Sequence, residues 1–318
     1  MRAYCLPILL LVLPLLVAGC TGGQPRGPAP EPPPYAELVQ RYNERLDVLD
    51  RFYCRTVVGL TWEDAEGDRH HEQGEGHLQF KRYEETDIIW KGELRSPARV
   101  ALDVGKIGNI GYWLGCDAER FWWIDVQEED TAYVARHANF GQPCCDSAGL
   151  PLHPIELINL LALSKLNPGL TATRIEPHPE QPTWSLTRET YFGLERLILD
   201  SASLEVQRVE LLDPLGEPVV VAELTEYQPV EITGMAPTIW PRLPRRVIIQ
   251  QTDGRLQVTL TLSEPFDARK DPRKLSDAAF IFERVARGLG ARRIVELDAD
   301  CPPQVEAPSA TPAGAGSP

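Results

Sequence analysis

The sequence predicts a mainly β (α+β) fold: a large, strongly curved antiparallel sheet wrapped round one amphipathic helix and one buried apolar helix. Three observations predict it. Beyond residue 54, short runs of period two alternate with turn residues every eight to twelve positions, as in all-β proteins. An apolar stripe of helical spacing opens the body of the chain. One later segment is apolar almost all round but too short to cross a bilayer.

The chain has 318 residues, with 32 Lys+Arg against 46 Asp+Glu and a net charge of −14. With 25% charged and 43% hydrophobic residues it can bury a sizeable core. The acidity argues against a nucleic-acid partner, because phosphate backbones are held by clustered Lys and Arg. The basic groups at 242–246 and 284–293 are short and interrupted.

At the amino terminus, Arg2 precedes a nearly pure apolar run over 5–17, shorter than the roughly 20 residues of a membrane span, and Ala18 and Gly19 follow. Residues 1–19 therefore read as a secretory signal. Val17-Ala18-Gly19-Cys20 resembles the lipobox of bacterial lipoproteins, whose cysteine is acylated and becomes the first mature residue. Cys20 is the expected lipidation site. Three acyl chains anchor effectively permanently where one alone is marginal. Thr21 resembles an outer-membrane sorting choice, so the expected location is the periplasmic face of the outer membrane, the partner being membrane lipid through Cys20. Residues 20–34 form a Pro/Gly-rich tether. The folded body is expected over 35–300 and a disordered tail over 301–318.

Once Cys5 is lost with the signal and Cys20 to lipid, five cysteines remain: 54, 116, 144, 145 and 301. An oxidising compartment permits bridges among them, and the sequence leaves their pairing open. A zinc site would recruit Cys144, Cys145, His137 and His153, but the spacing matches no zinc pattern, so bridging or burial is expected and no metal is assigned.

Leu38, Tyr42, Leu46, Leu49 and Tyr53 recur at helical spacing, which predicts an amphipathic helix of about five turns from Tyr35, with Pro34 at its start. Strands are expected over 55–63, 86–94, 98–104, 110–114, 120–126, 132–136, 171–176, 183–188, 194–200, 204–212 and 218–228. Leu78 and Phe80 also alternate with polar residues, as do Leu256, Val258, Leu260 and Leu262. The last run is joined to 246–251 by a hairpin at Thr252-Asp253-Gly254. Between strands, residues 154–166 read as the apolar helix, ended by Asn167-Pro168-Gly169.

No nucleophile elbow, metalloprotease helix, P-loop or dinucleotide fingerprint occurs, so no catalytic residue and no cofactor is assigned. His70, His71, Glu72 and His77 surround Gly74 and Gly76 in what reads as a solvated connection. Trp90, Tyr112, Trp113, Phe121, Trp122 and Trp123 crowd successive strands, where they either line an apolar cavity or form the sheet's core.

The order of these features resembles the LolA/LolB-like superfamily of periplasmic lipoprotein carriers and outer-membrane lipoprotein receptors. The matching pieces are YAELVQRYNERLDVLDRFYC, RTVVGLTWED, RSPARVALDVGKIGNIGYWLGCDAERFWWIDV and PRLPRRVIIQQTDGRLQVTLTL, followed by LSDAAFIF. The resemblance implies an unclosed half-barrel of about 11 strands with an apolar concave face for acyl chains. It implies a non-enzymatic, lipid-anchored protein that binds acyl chains or lipidated proteins, in lipoprotein or lipid trafficking. The expected ligand-binding residues are Trp90, Trp113 and Trp122 with Leu157, Leu160 and Leu161. The chain's own lipobox sets it apart from the soluble carrier. The alternative is an envelope structural or sensory interaction module with a filled core.

Overall fold

The computed structural model describes residues 28–64, 66–82, 98–106, 109–127, 130–145, 153–168, 174–190, 193–271 and 276–302. The signal, Cys20, most of the tether, the expected strand at 86–94 and nearly all of the tail lie outside these residues.

Helix α1 (Tyr35–Asp47) buries Leu38, Tyr42 and Leu46 of the stripe read from the sequence, and Val39 beside them. It is shorter than expected. Leu49 is buried beyond the helix end, and Tyr53 already belongs to β1 (Arg51–Glu63). A four-residue spacing satisfies both periodicities, so the stripe ran on past the helix. The chain continues through β2 (Arg69–Arg82), β3 (Ala98–Lys106), β4 (Asn109–Cys116), β5 (Arg120–Asp125) and β6 (Thr131–Arg136). His70, His71 and Glu72 thus lie in strand β2, not in a loop.

Helix α2 (Pro154–Leu160) follows, half the expected length. Beyond Leu161 the chain turns, with Ala162 at φ 55°, and leaves helical geometry. Then come β7 (Arg174–Pro177), β8 (Thr183–Thr190), β9 (Gly193–Asp200), β10 (Val206–Leu212), β11 (Pro218–Thr225), β12 (Gln228–Pro229), β13 (Arg242–Leu243), β14 (Arg246–Gln251) and β15 (Leu256–Asp267). The β14–β15 hairpin falls where it was read, Gly254 taking φ 77°. Helix α3 (Phe282–Gly288) and β16 (Arg293–Glu296) complete the body. No described helix is long and apolar enough to cross a membrane.

Among the described residues fourteen strands, rather than about eleven, form one sheet in the order β16-β6-β5-β4-β3-β2-β1-β15-β14-β11-β10-β9-β8-β7. All pairs are antiparallel except β16 on β6, and the two ends do not meet, so the barrel is unclosed. The sheet is nevertheless curled. β6 and β8 are its second and thirteenth strands, eleven spacings apart, or about 53 Å if flat at ~4.8 Å per strand. Yet Phe121 and Ala135 at one end and Trp184 and Leu186 at the other belong to a single core with α1 and α2.

We call the covered side the inner face. The strand ends near Arg51, Lys81, Thr183, Asp200, Thr225, Arg246 and Asp267 form its proximal end, and those near Trp62, Tyr112, Val220 and Leu256 its distal end. A second, smaller core lies on the outer face of β3 to β6, closed by Phe280 and by Phe282, Val285 and Ala286 of α3. A Cys144–Cys301 disulfide ties the residues after β6 to those after β16, so the folded body takes in residue 301. Cys54, Cys116 and Cys145 are buried.

Candidate functional site

Side chains alternate across a strand, and this decides which residues can share a ligand. On β1, Phe52 and Cys54 belong to the inner core and Val58 packs against it, so Leu60 and Trp62 continue on the inner face. By register, Val104 and Tyr112 pair on the same face, as do Leu114 and Trp123. Leu114, Trp123, Val104, Val258, Val220 and Leu211 all pack against the inner core while remaining partly accessible. Tyr112 is 39% exposed.

The inner face is therefore graded along its strands. Its proximal half is sealed by α1 and by residues 153–167, with Leu38, Phe52 and Leu160 at 0% exposure. Its distal half is a half-buried apolar band that crosses β11, β15, β1, β3, β4 and β5, bordered by the Trp123–Tyr133 stack at 4.7 Å.

Residues 153–167 cross the inner face as a bar. At its start, His153 touches Phe121 of β5 and Phe140, with ring centroids 4.7 and 4.4 Å apart. His153 Nδ1 accepts the Ile155 N–H at 3.1 Å, capping α2, and Glu156 accepts the His153 N–H in return. With Nδ1 an acceptor, neutral His153 carries its proton on Nε2 and donates it to His137 Nδ1 at 3.2 Å. His137 Nε2 then donates to the Asp117 carbonyl at 3.0 Å. Burial pushes His137 down to about 4, against the raising influence of Asp117. Burial and then His137 hold His153 well below the ordinary histidine value.

At its other end the bar leaves α2 with free carbonyls, and three arginines from separate elements bind them. Arg45 of α1 donates to the Ala162 carbonyl at 3.2 Å, Arg82 of β2 to Leu163 at 2.8 Å, and Arg188 of β8 to Lys165 at 3.2 Å. Tyr42 also donates to Ala162, Asn43 exchanges two hydrogen bonds with Leu166, and Lys165 pairs with Asp47. Arg188 in turn donates from Nε and Nη2 to Glu195 Oε1 at 3.0 and 2.8 Å. The side chains of this pair are 7% and 0% exposed. A bar fixed on β5, β2 and β8 closes the proximal half of the curl.

The six ligand residues read from the sequence do not form one constellation. Leu157, Leu160 and Leu161 are in the inner core, at 2%, 0% and 2% exposure. Trp113 and Trp122 are on the opposite face, in the small core under α3. Odd-numbered Trp113 on β4 and even-numbered Trp122 on β5 point outward, whereas Phe121 and Trp123 point inward. Trp90 lies outside the described residues. Sequence reasoning missed Val58, Leu60, Val104 and Leu114, and it singled out Tyr112 among the aromatics without assigning it to the ligand. Their period-two spacing was the available signal. Among the zinc candidates His137 and His153 meet, and Cys144 is bridged to Cys301. No described group of three or more His, Cys, Asp or Glu could hold a metal ion.

No family model and no curated protein matches the sequence. Among solved structures, the chain is similar to a putative outer membrane lipoprotein-sorting protein domain from Vibrio parahaemolyticus, at 12% identity over 72% of this chain and 90% of that one, TM-score 0.49. It is also similar to a DUF1329 family protein from Desulfovibrio piger, at 14% identity over 78% and 96%, TM-score 0.49. A third is a LolA superfamily protein from Nitrosomonas europaea, at 10% identity over 72% and 91%, TM-score 0.42. All three TM-scores lie below 0.5, so these likenesses carry no argument about this chain. Its functional reading rests on its own geometry.

Proposed function

We propose that this is a non-enzymatic, lipid-anchored envelope protein that holds acyl chains, or the acyl part of a lipidated protein, along the distal half of its inner face. It would do so at the periplasmic side of the outer membrane, in lipoprotein or lipid trafficking. The supporting observation is the band of Val58, Leu60, Val104, Leu114 and Val258, half-buried apolar side chains contiguous with a sealed core, with the exposed Tyr112 beside them. Apolar bands of this kind suit ligands of low polarity. Leu157, Leu160 and Leu161 are proposed as the movable wall, since withdrawing the bar would extend the band into the proximal half. Trp113 and Trp122 are proposed to support the same strands from behind.

The test is uptake of a fluorescent fatty acid by the mature chain. Leu60→Asp and Val104→Asp, each at a half-buried position, are expected to lower uptake by about tenfold or more with the far-UV circular dichroism unchanged. Unchanged uptake in both variants removes the distal band from the site.

One observation favours the second reading, an interaction module with a filled core: the proximal half is occupied by the chain's own Leu38, Tyr42 and Leu160. That reading requires the distal band to bind a protein rather than acyl chains. Saturating uptake of the fatty acid by the wild-type chain would exclude it.

A further inference from the structure

We infer that the loop over residues 232–241 is a second, protein-borne membrane contact that seats the proximal end of the sheet on an anionic phospholipid surface. The inference goes beyond the acyl anchor and, for its tether argument, rests on the reading of Cys20 as lipidated.

The loop closes the small β12–β13 pair and holds no charged residue in the ten positions ITGMAPTIWP, in a chain that is 25% charged. Its apolar tip is preformed. Trp240 Nε1 donates to the Met235 carbonyl at 3.1 Å, and the backbone N–H groups of Ile239 and Trp240 donate to Ala236 and Pro237. Met235 and Trp240 pack on the edge of the inner core, while Ile239 stands out at 59% exposure. Among the described residues nothing covers the large aliphatic side chain that ends this braced knob.

Exposed arginines stand at the neck of the loop. Arg245 and Arg246 are exposed, and Arg242 reaches Glu205 and the Tyr227 carbonyl. Residues 226–246 hold three arginines against Glu226 and Glu231, a net +1 in a chain of net −14. An apolar tip with tryptophan and arginine behind it matches the layered chemistry of a bilayer surface. The aliphatic group reaches the acyl boundary, the indole sits among headgroups, and guanidiniums meet phosphate.

The path of the tether points the same way. It does not hang free as far as Pro34: the Ala29 N–H donates to the Gln181 carbonyl at 3.1 Å, and Trp184 Nε1 donates to the Pro30 carbonyl at 2.8 Å. Gln181 and Trp184 stand where β8 begins, at the proximal end that also carries the loop. Only residues 21–28, eight of them, separate Cys20 from the docked Ala29, a reach of about 30 Å at full extension. Tether and loop thus bring the same end of the sheet to the lipid, leaving the distal band facing away from it.

The loop alone binds weakly, since one knob buries little area, and the anchor makes it effective by local concentration. The test uses the mature chain from residue 20 with Cys20→Ser, which carries no acyl group, titrated with phosphatidylethanolamine/phosphatidylglycerol vesicles at low salt. The expected result is vesicle association that falls about tenfold or more in Ile239→Asp and weakens with added salt and in the Arg245→Glu/Arg246→Glu double variant. Absence of association, or association unchanged by Ile239→Asp, overturns the proposal. Self-association that depends on Ile239, without vesicle binding, also overturns it and assigns the loop to a protein contact. Mass spectrometry of the amino-terminal peptide from the native host reads acylation of Cys20 separately, so failure of the anchor and failure of the loop are distinguishable.

Discussion

Replacing Arg188 with Met tests whether the bar is clamped by a buried ion pair. Glu195 is 0% exposed, its Oε1 takes both Arg188 contacts, and its Oε2 has no hydrogen-bond partner. Burial alone would lower the Arg188 pKa, and the charge and hydrogen bond of Glu195 together with Tyr42 and Tyr35 more than offset that, so the guanidinium stays protonated. Removing it strands a carboxylate in the core, which costs about 3–5 kcal/mol. The Arg188→Met/Glu195→Leu double variant removes both charges at similar volume, and its remaining deficit is the lost bond to the Lys165 carbonyl, about 1 kcal/mol. Urea unfolding followed by circular dichroism should therefore place the double variant at least ~2 kcal/mol above the single one. Equal stability of the two would refute the reasoning, because it would mean that Glu195 is hydrated or protonated at no penalty without its partner.

Three further predictions follow from the same geometry. His137 has a folded-state pKa of about 4 against 6.5 unfolded, so the unfolded chain takes up a proton first as pH falls. Its contribution is fully present above about pH 6.5 and is lost progressively toward pH 4, by about 3 kcal/mol for this group alone. Urea midpoints measured across that window should fall, and His137→Gln should flatten the slope. Gly76→Ala places a methyl 1.8 Å from the Asp103 carbonyl oxygen, so it should lower stability by about 1–3 kcal/mol, whereas at Gly59, where the nearest atom is 3.8 Å away, the methyl meets only ordinary contact. Thermal melts of the two variants give the comparison. Cys301→Ser opens a link between residues 157 apart in sequence and should cost about 2–5 kcal/mol, read from denaturation without reductant.

Much of the fold was legible because it is written in period two. The run Leu256, Val258, Leu260, Leu262 and its hairpin to β14 needed only the alternation and a glycine at the turn. Elements failed where that signal was absent. His70, His71 and Glu72 belong to the end of β2 that extends past its pairing with β3, which begins at Glu75, so polar residues occupy both faces and the segment looked like a loop. β16 is a four-residue edge strand with Ile294 57% exposed, too short and too open to show a pattern. The helix at 154–166 was overextended because hydrophobicity reports burial, and the bar is buried both as helix and beyond it.

The site was half legible. Phe121, Trp122 and Trp123 are consecutive, so alternation separates Trp122 from its neighbours, and grouping them as one aromatic cluster ignored the strand they were assigned to. The curl that brings β5, β2 and β8 onto one bar depends on pairings between strands far apart in sequence, which local patterns do not encode. The arginines that hold the bar shared this difficulty: no motif singles out Arg45, Arg82 and Arg188 until the carbonyls of 162–165 are placed beside them.

The central claim is that the inner face holds acyl chains, and native mass spectrometry with solvent extraction tests it most directly. The chain carrying Cys20→Ser, which has no acyl anchor, purified from the periplasmic fraction without detergent, is expected to carry fatty acid, phospholipid or lipopeptide at near-stoichiometric amounts. A clean mass without ligand, together with no uptake of a fluorescent fatty acid, would contradict the claim.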